Sequence, residues 1–170
     1  ESVLLTFSEH PRHVLFPDDQ NLRLINSLSE KEEALSKTSL QNLVVHEFTK
    51  EFSRISSVNF IRDILVNKLN MKYMVVGYNH HFGKNREGTY ANLLELADLY
   101  GFRIEKIGPQ DIEGVTISST KIRTAINDGF IQKANSYLCD NFSLSGKVVK
   151  GNSIGSSIGF PTANIQVNDK

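Results

Sequence analysis

The chain has 170 residues, 39% hydrophobic and 22% charged, enough for one ordinary core or for a domain with part of another. Its 19 basic residues balance 19 acidic ones, so no bulk field favours nucleic acid or a membrane surface, and any anion must be held by local arrangement. No apolar run reaches the ~18 residues of a membrane span, "ESVLLTF" has no signal-peptide pattern, and one cysteine excludes an internal disulfide or a cysteine-rich metal centre. That residue, Cys139, stands among apolar neighbours in "YLCDN". It is expected to be an ordinary buried thiol in a reducing cytoplasm.

The apolar, β-branched run "VLLTF" predicts a first strand. "SEKEEALSK" predicts a helix opened by a capping box of Ser29 and Glu32. "LQNLVVHEF" reads as a second strand. In "SSVNFIRDILVNKLN", Ile61, Ile64, Leu65 and Leu69 recur at helical spacing. "MKYMVVGY" is a third strand, "TYANLLELADLYG" a helix with Gly101 at its C-terminal cap, and "FRIEKIG" a fourth strand. Strands alternating with helices of this length predict an α/β fold, a mostly parallel sheet covered on both faces. Two short helices follow, "SSTKIRTAINDG" and "FIQKANSYLCD", parted by Asp128-Gly129. After residue 140 the pattern turns to β-branched residues among Gly146, Gly151, Gly155 and Gly159, which predicts the start of an all-β unit.

Four segments hold candidate chemistry. "GYNHHFGKNREG" leaves the third strand at its carboxyl end, where parallel sheets bind ligands. Gly77 and Gly83 permit close backbone approach, and Asn79 offers both a donor and an acceptor. His80 and His81 have no spaced Cys, Asp or Glu to complete a zinc set; they read as solvated loop residues or as part of a ligand-contacting loop. In "ISSTKIR", Ser118, Ser119 and Thr120 precede a helix, with Arg123 one turn on. Simple capping explains one hydroxyl, and three together with an arginine fork suit an anion. Phe7 and Pro11 in "TFSEHPRHVLF" read either as core and turn or as a flat wall for a ring. In "GNSIGSSIGFPTAN" the glycines fit a β turn, and Thr162 and Asn164 can offer oxygens to a hard cation.

In order, "TFSEHPRHVL", "SEKEEAL", "HEFTKEFSRISSVNFIRDIL", "VVGYNHHFGKNREG", "GFRIEKI", "ISSTKIRTAINDG" and "LSGKVVKGNSIGSSIGFPTANI" resemble the bacterial bifunctional riboflavin kinase/FMN adenylyltransferases, also called FAD synthetases. The resemblance runs along essentially the whole chain. It implies a Rossmann-like nucleotidyltransferase domain over residues 1–140 and the first strands of a riboflavin kinase β-barrel over residues 141–170. It also implies transfer of AMP from ATP to FMN, giving FAD and pyrophosphate, with Mg²⁺, and phosphorylation of riboflavin by the kinase part. Small molecules (ATP, FMN and riboflavin) would be the partners, with neither nucleic acid nor membrane. By position, Ser118, Ser119, Thr120 and Arg123, with Gly77 and Gly83, resemble the ATP contacts. Phe7, Pro11, Asn79 and Phe82 resemble the flavin contacts, with Arg123 and Asn79 nearest the chemistry. Thr162 and Asn164 resemble the Mg-ATP ligands of the kinase part.

The chain departs from the family pattern in places. Glu9 replaces the first proline of T-F-x-P-H-P. His80-His81 stand where the family often has Phe-Arg, so His81 contacts a phosphate as strongly only if protonated. The family's H-x-G-H phosphate turn is expected before residue 1, and the remaining kinase strands after residue 170. Two rival readings stay open: a nucleotidyltransferase with another acceptor, and a non-catalytic nucleotide-binding module.

Overall fold

The computed structural model describes residues 1–19, 22–112, 114–152 and 154–167. It falls into two compact units: Leu5–Gln20 with Val44–Thr116, and Glu1–Leu4 with Asn21–Leu43 and Ile117–Lys170. The architecture is mixed α/β. Strands β1 (Val3–Phe7) and β2 (Asn42–His46) are hydrogen-bonded neighbours. The Asn42 amide donates to the Ser2 carbonyl at one end and the Ser8 amide to the His46 carbonyl at the other, so the two run parallel. Between them lie the short helix α1 (Pro11–Leu15) and helix α2 (Leu28–Ser36).

In the unit built from residues 5–20 and 44–116, β3 (Tyr73–Gly77), α4 (Tyr90–Tyr100) and β4 (Arg103–Ile107) form a strand–helix–strand repeat. Its two strands pair in parallel from Tyr73 opposite Arg103 to Gly77 opposite Ile107. A parallel pair cannot be joined by a tight hairpin, and α4 supplies the crossover. Thr89 and Asn92 cap α4 reciprocally, and Gly101 ends it at φ +68°. That left-handed cap costs glycine nothing. The core gathers Leu93, Leu96 and Ala97 of α4, Val76 of β3, Phe102, Phe82, and Ile61 and Leu65 of the preceding helix. Ile61 and Leu93 are its largest fully buried side chains, each contributing about 2 kcal/mol of transfer free energy.

The expected sheet is covered on one face here rather than two. Side chains alternate along a strand, so Met74 and Val76 turn to the core while Tyr73 and Val75 stay 52% exposed. The helix after residue 56 also differs from expectation. It begins as an α-helical turn, α3 (Ser57–Asn59), and continues over Phe60–Lys68 with the wider i→i+5 winding, as in the Leu69 amide donating to the Ile64 carbonyl. Ile61 and Leu65, four residues apart, share the buried face in either winding, so apolar spacing does not tell the two apart. A two-residue hairpin, β5 (Asp111–Ile112) with β6 (Val115–Thr116), completes this unit.

In the other unit, α5 (Ser119–Asn127) and α6 (Ile131–Leu138) form the expected helix pair about Asp128-Gly129. Ile122, Ala125 and Ala134 are its buried apolar residues. Cys139 is exposed, which corrects the expected buried thiol. It is the C-cap of α6 at φ +53°, outside the helical turns whose spacing sets the buried face. The antiparallel pair β7 (Gly146–Val149) and β8 (Asn164–Val167) agrees with the expected β pattern, although the glycine-rich connection contains a short helix, α7 (Ile154–Ser157).

The cap of α2 lies two residues earlier than predicted. Ser27 rather than Ser29 is the N-cap, and its partner is Glu30 rather than Glu32. The sequence holds the same S-x-x-E spacing twice, and the earlier copy has an extra tie. Glu30 is 6% exposed and accepts from the Ser145 amide at 3.1 Å as well as from the Ser27 amide at 2.9 Å. One carboxylate thus caps the helix and anchors the approach to β7. Glu30→Ala should lower the unfolding free energy by about 2 kcal/mol, from one lost cap and one orphaned amide. Glu30→Gln, which keeps an acceptor oxygen, should cost less. Denaturant titration checks both, and an alanine variant as stable as the parent would show that water replaces the carboxylate.

Candidate functional site

The loop of residues 77–88 begins where β3 ends, and local bonds give it shape. The His80 amide donates to the Gly77 carbonyl at 3.1 Å, leaving Asn79 exposed at the tip of the turn. Phe82 and Gly88 then bridge as an antiparallel pair, with the Gly88 amide 2.9 Å from the Phe82 carbonyl. Gly88 is required there, because a Cβ would lie 2.6 Å from the Phe82 ring. Gly83 meets a stricter demand. Its φ is +72°, and a Cβ on it would stand 2.6 Å from the Ser57 amide nitrogen. The Lys84 amide donates to the Ile55 carbonyl at 2.9 Å, and the Ser57 amide donates to the Glu87 carboxylate at 2.8 Å. The loop is therefore pressed backbone to backbone onto the start of α3.

From the exit of β1 to this loop runs a continuous series of rings. Phe7 meets Phe48 at 4.9 Å and Phe52 at 5.5 Å between centroids, edge to face. Phe52 meets Phe60 at 6.1 Å, Phe60 meets Phe82 at 6.1 Å, and His80 stacks on Phe82 at 6.0 Å with 17° between planes. Phe82 itself is buried, while Phe7 is half-buried at the open end of the series. Such pairs add about 1 kcal/mol each beyond their buried area, so the series is a rigid apolar wall. Sequence reasoning singled out Phe7 and Phe82 and missed Phe48, Phe52 and Phe60, which lie in the family-like segment "HEFTKEFSRISSVNFIRDIL" and are signalled there by the recurrence of phenylalanine. Pro11 opens α1 behind the His10 cap, where its missing amide costs nothing.

The stacked Phe82 ring shields one face of His80 from water while the rest of the side chain stays exposed. This desolvation, with a smaller contribution from the charge of His81, holds the His80 pKa below its ordinary value.

In the other unit, Ser118 caps α5 by accepting from the Lys121 amide at 3.3 Å. Ser119 and Thr120 occupy the first two helical positions and are exposed. Arg123 is half-buried, and its Nε donates to the Arg23 carbonyl at 2.7 Å, which fixes the plane of the guanidinium. One hydroxyl is thus spent on the cap. Ser119 and Thr120 stand beside the free amides that such a helix start presents. The glycines of the last segment serve close approach. A Cβ on Gly151 would collide with the side chain of Asn164, and one on Gly155 would collide with the Phe160 carbonyl oxygen and lie 3.1 Å from the Thr162 hydroxyl oxygen. Thr162 and Asn164 are both exposed.

Two outcomes test this geometry. Gly83→Ala should destabilise the protein by about 2 kcal/mol or more, combining a left-handed φ with a backbone clash, measured by thermal unfolding. A wild-type melting curve would show that the loop does not press on Ser57. The depressed His80 pKa gives a sign as well. Below about pH 6.5 the unfolded chain takes up this proton more readily than the folded one, so stability falls as pH falls and is held above that value. His80→Phe should flatten this acid-side loss in melting curves taken between about pH 7 and 5. An unchanged slope would assign the loss to other groups.

A family model described as FAD synthetase matches residues 1–121, and one described as riboflavin kinase matches residues 138–170. The bifunctional riboflavin kinase/FMN adenylyltransferase of Listeria monocytogenes is 34% identical over 99% of this chain and 53% of its own length. Those of Buchnera aphidicola from Acyrthosiphon pisum and of Escherichia coli K12 are each 35% identical over 96% of this chain and 52% of their own length. The chain spans about half the length of the curated relatives it matches. A crystal structure described as a macrolide-efflux protein from Streptococcus pneumoniae superposes with a TM-score of 0.85 at 30% identity, over 97% of this chain and 53% of that one. Among the described residues no helix is long and apolar enough to cross a membrane. With more than two thirds of its length matched by that first model, the chain belongs to the FAD synthetase family.

Proposed function

We propose that this chain transfers AMP from ATP to FMN, and that residues 1–140 form a Rossmann-like nucleotidyltransferase domain for that reaction. Residues 141–170 open a riboflavin kinase β-barrel that supplies FMN within the same protein, in the reducing cytoplasm. The observation that carries the reading is the ring series. Phe7 at the end of β1 and Phe82 beyond the end of β3 belong to one apolar wall at the carboxyl ends of parallel strands. A flat tricyclic flavin finds there the stacking surface that a sugar or a simple phosphorylated alcohol would not need.

In the reaction, a phosphate oxygen of FMN attacks the α-phosphorus of ATP. One P–O bond forms, the bond to the bridging oxygen breaks, and pyrophosphate leaves with the electron pair. No side-chain nucleophile is required, so the protein's work is alignment and charge stabilisation. Arg123, its plane set by the Arg23 carbonyl, turns its terminal nitrogens to the phosphates as a fork. Ser119 and Thr120 add hydroxyls and Ser118 holds the helix start that presents free amides to the anion. The family resemblance gives the loop of Gly77, Asn79 and Gly83 its nucleotide and flavin contacts, and gives Pro11 a part in the flavin pocket.

The donor set at residues 162 and 164 fits a hard cation: two neutral oxygen side chains, brought against Gly151 and Gly155. Mg²⁺ of this kind is held mostly by phosphates and water, with few protein ligands. Thr162 and Asn164 would hold it in the kinase part, where it neutralises the charge of transferred phosphate. Among the described residues no three His, Cys, Asp or Glu side chains group as a metal centre, so any other Mg²⁺ would also rest mainly on substrate oxygens.

The test is direct. Purified protein with FMN and Mg-ATP should yield FAD and pyrophosphate, separated by chromatography, and Arg123→Ala should reduce turnover about 100-fold with the fold intact. Undiminished turnover in that variant would remove Arg123 from its role. FAD formation absent while ATP still binds would favour a nucleotide-binding module, and turnover only with other phosphorylated acceptors would reassign the substrate.

A further inference from the structure

The loop that carries Asn79 and Phe82 is held by a side chain with no part in the proposed chemistry. Glu87 lies just before the Phe82–Gly88 bridge closes, and its Oε1 accepts from the Ser57 amide, 30 residues away, at 2.8 Å. Ser57 is the first residue of α3, one of the positions whose amides have no partner inside a helix. A carboxylate there satisfies the amide and is favoured by the helix dipole. The same helix carries Phe60, three residues on, and Phe60 is the ring against which Phe82 packs. This bond thus ties the loop to the helix that carries the ring series.

The loop needs such a tie. Gly83, Asn85 and Arg86 all have left-handed φ, at +72°, +53° and +60°. For the two non-glycine residues that conformation is unfavourable and persists only when the surroundings impose it. The Lys84 amide bonded to the Ile55 carbonyl fixes one side of the turn, and Glu87 fixes the other. Neither Glu87 nor Ser57 belongs to the ring series or to the α5 start, so their bond acts on ligand contacts through the loop alone.

We infer that Glu87 is a positioning residue of this site: hooked on the Ser57 amide, it holds Phe82 and Asn79 in place for the flavin and sets FMN affinity rather than ATP affinity. The inference rests on the proposed flavin site. In the full-length gene product, Glu87→Ala should weaken FMN binding, read by quenching of flavin fluorescence, about tenfold. ATP binding should be unchanged, and amide exchange should quicken at Ser57 and Gly88 but not in β4 or α5. Glu87→Gln, which retains an acceptor oxygen, should recover most of the affinity and keeps the test sound if the alanine variant misfolds. FMN affinity equal to the parent's in Glu87→Ala, or in Glu87→Gln an equal loss for FMN and ATP with a lowered melting temperature, would overturn the inference. If the parent itself binds no FMN, the proposed function fails and the role of Glu87 falls with it.

Discussion

The close approach of Gly83 to Ser57 is the constraint on which the candidate site depends. A loop after a strand has little core of its own, and most such loops are shaped by solvent and by chance contacts. Here the backbone of Gly83 and Lys84 lies directly on the backbone of residues 55–57, at a distance that any Cβ on residue 83 would forbid. Once that contact is made, Phe82 is carried inward to the core and Gly88 must be bare to receive its ring. The apolar wall is then an outcome of backbone packing. Its rings do not have to find one another from a flexible loop, so little conformational entropy remains to be lost when a flat ligand arrives.

The two halves of the proposed chemistry draw on different physics. The flavin side is a matter of apolar area and stacking, from rings fixed by edge-to-face contacts. The phosphate side relies on oriented dipoles and a single planar cation. With equal numbers of acidic and basic residues, the protein has no net field to concentrate phosphates. The anion site must therefore work at short range, and the bond from Arg123 to the Arg23 carbonyl serves that purpose by holding the guanidinium in one plane. A lysine at residue 123 would keep the charge and lose the planar fork.

Much of this was legible in the sequence where a local rule decides the outcome. Gly101 ends α4 because a left-handed cap needs glycine, and Asp128-Gly129 parts α5 from α6 for a related reason. The strands stand where apolar, β-branched runs place them. The failures share another cause, namely contacts between residues far apart. Ser27 outcompeted Ser29 as the cap because Glu30 also binds the amide of Ser145. Cys139 was read from its apolar neighbours, although its helix had already ended. The bare face of β3 follows from what packs on the strand, which alternation alone cannot show. Phe48, Phe52 and Phe60 lie in a family-like segment that gave them no individual role, and only tertiary structure turns three scattered phenylalanines into a wall.

The glycines of residues 151–159 show why composition misleads when its cause is ambiguous. Read as a run, they suggest a permissive turn, and a positive φ at Gly159 agrees with that. Gly151 and Gly155 serve a different end, for neither has a left-handed φ: a Cβ on Gly151 would collide with the Asn164 side chain, and one on Gly155 with the Phe160 carbonyl oxygen, the Thr162 side chain being next nearest. The bare positions of this segment answer to close contact with residues 160–164, a tertiary cause that glycine composition does not reveal.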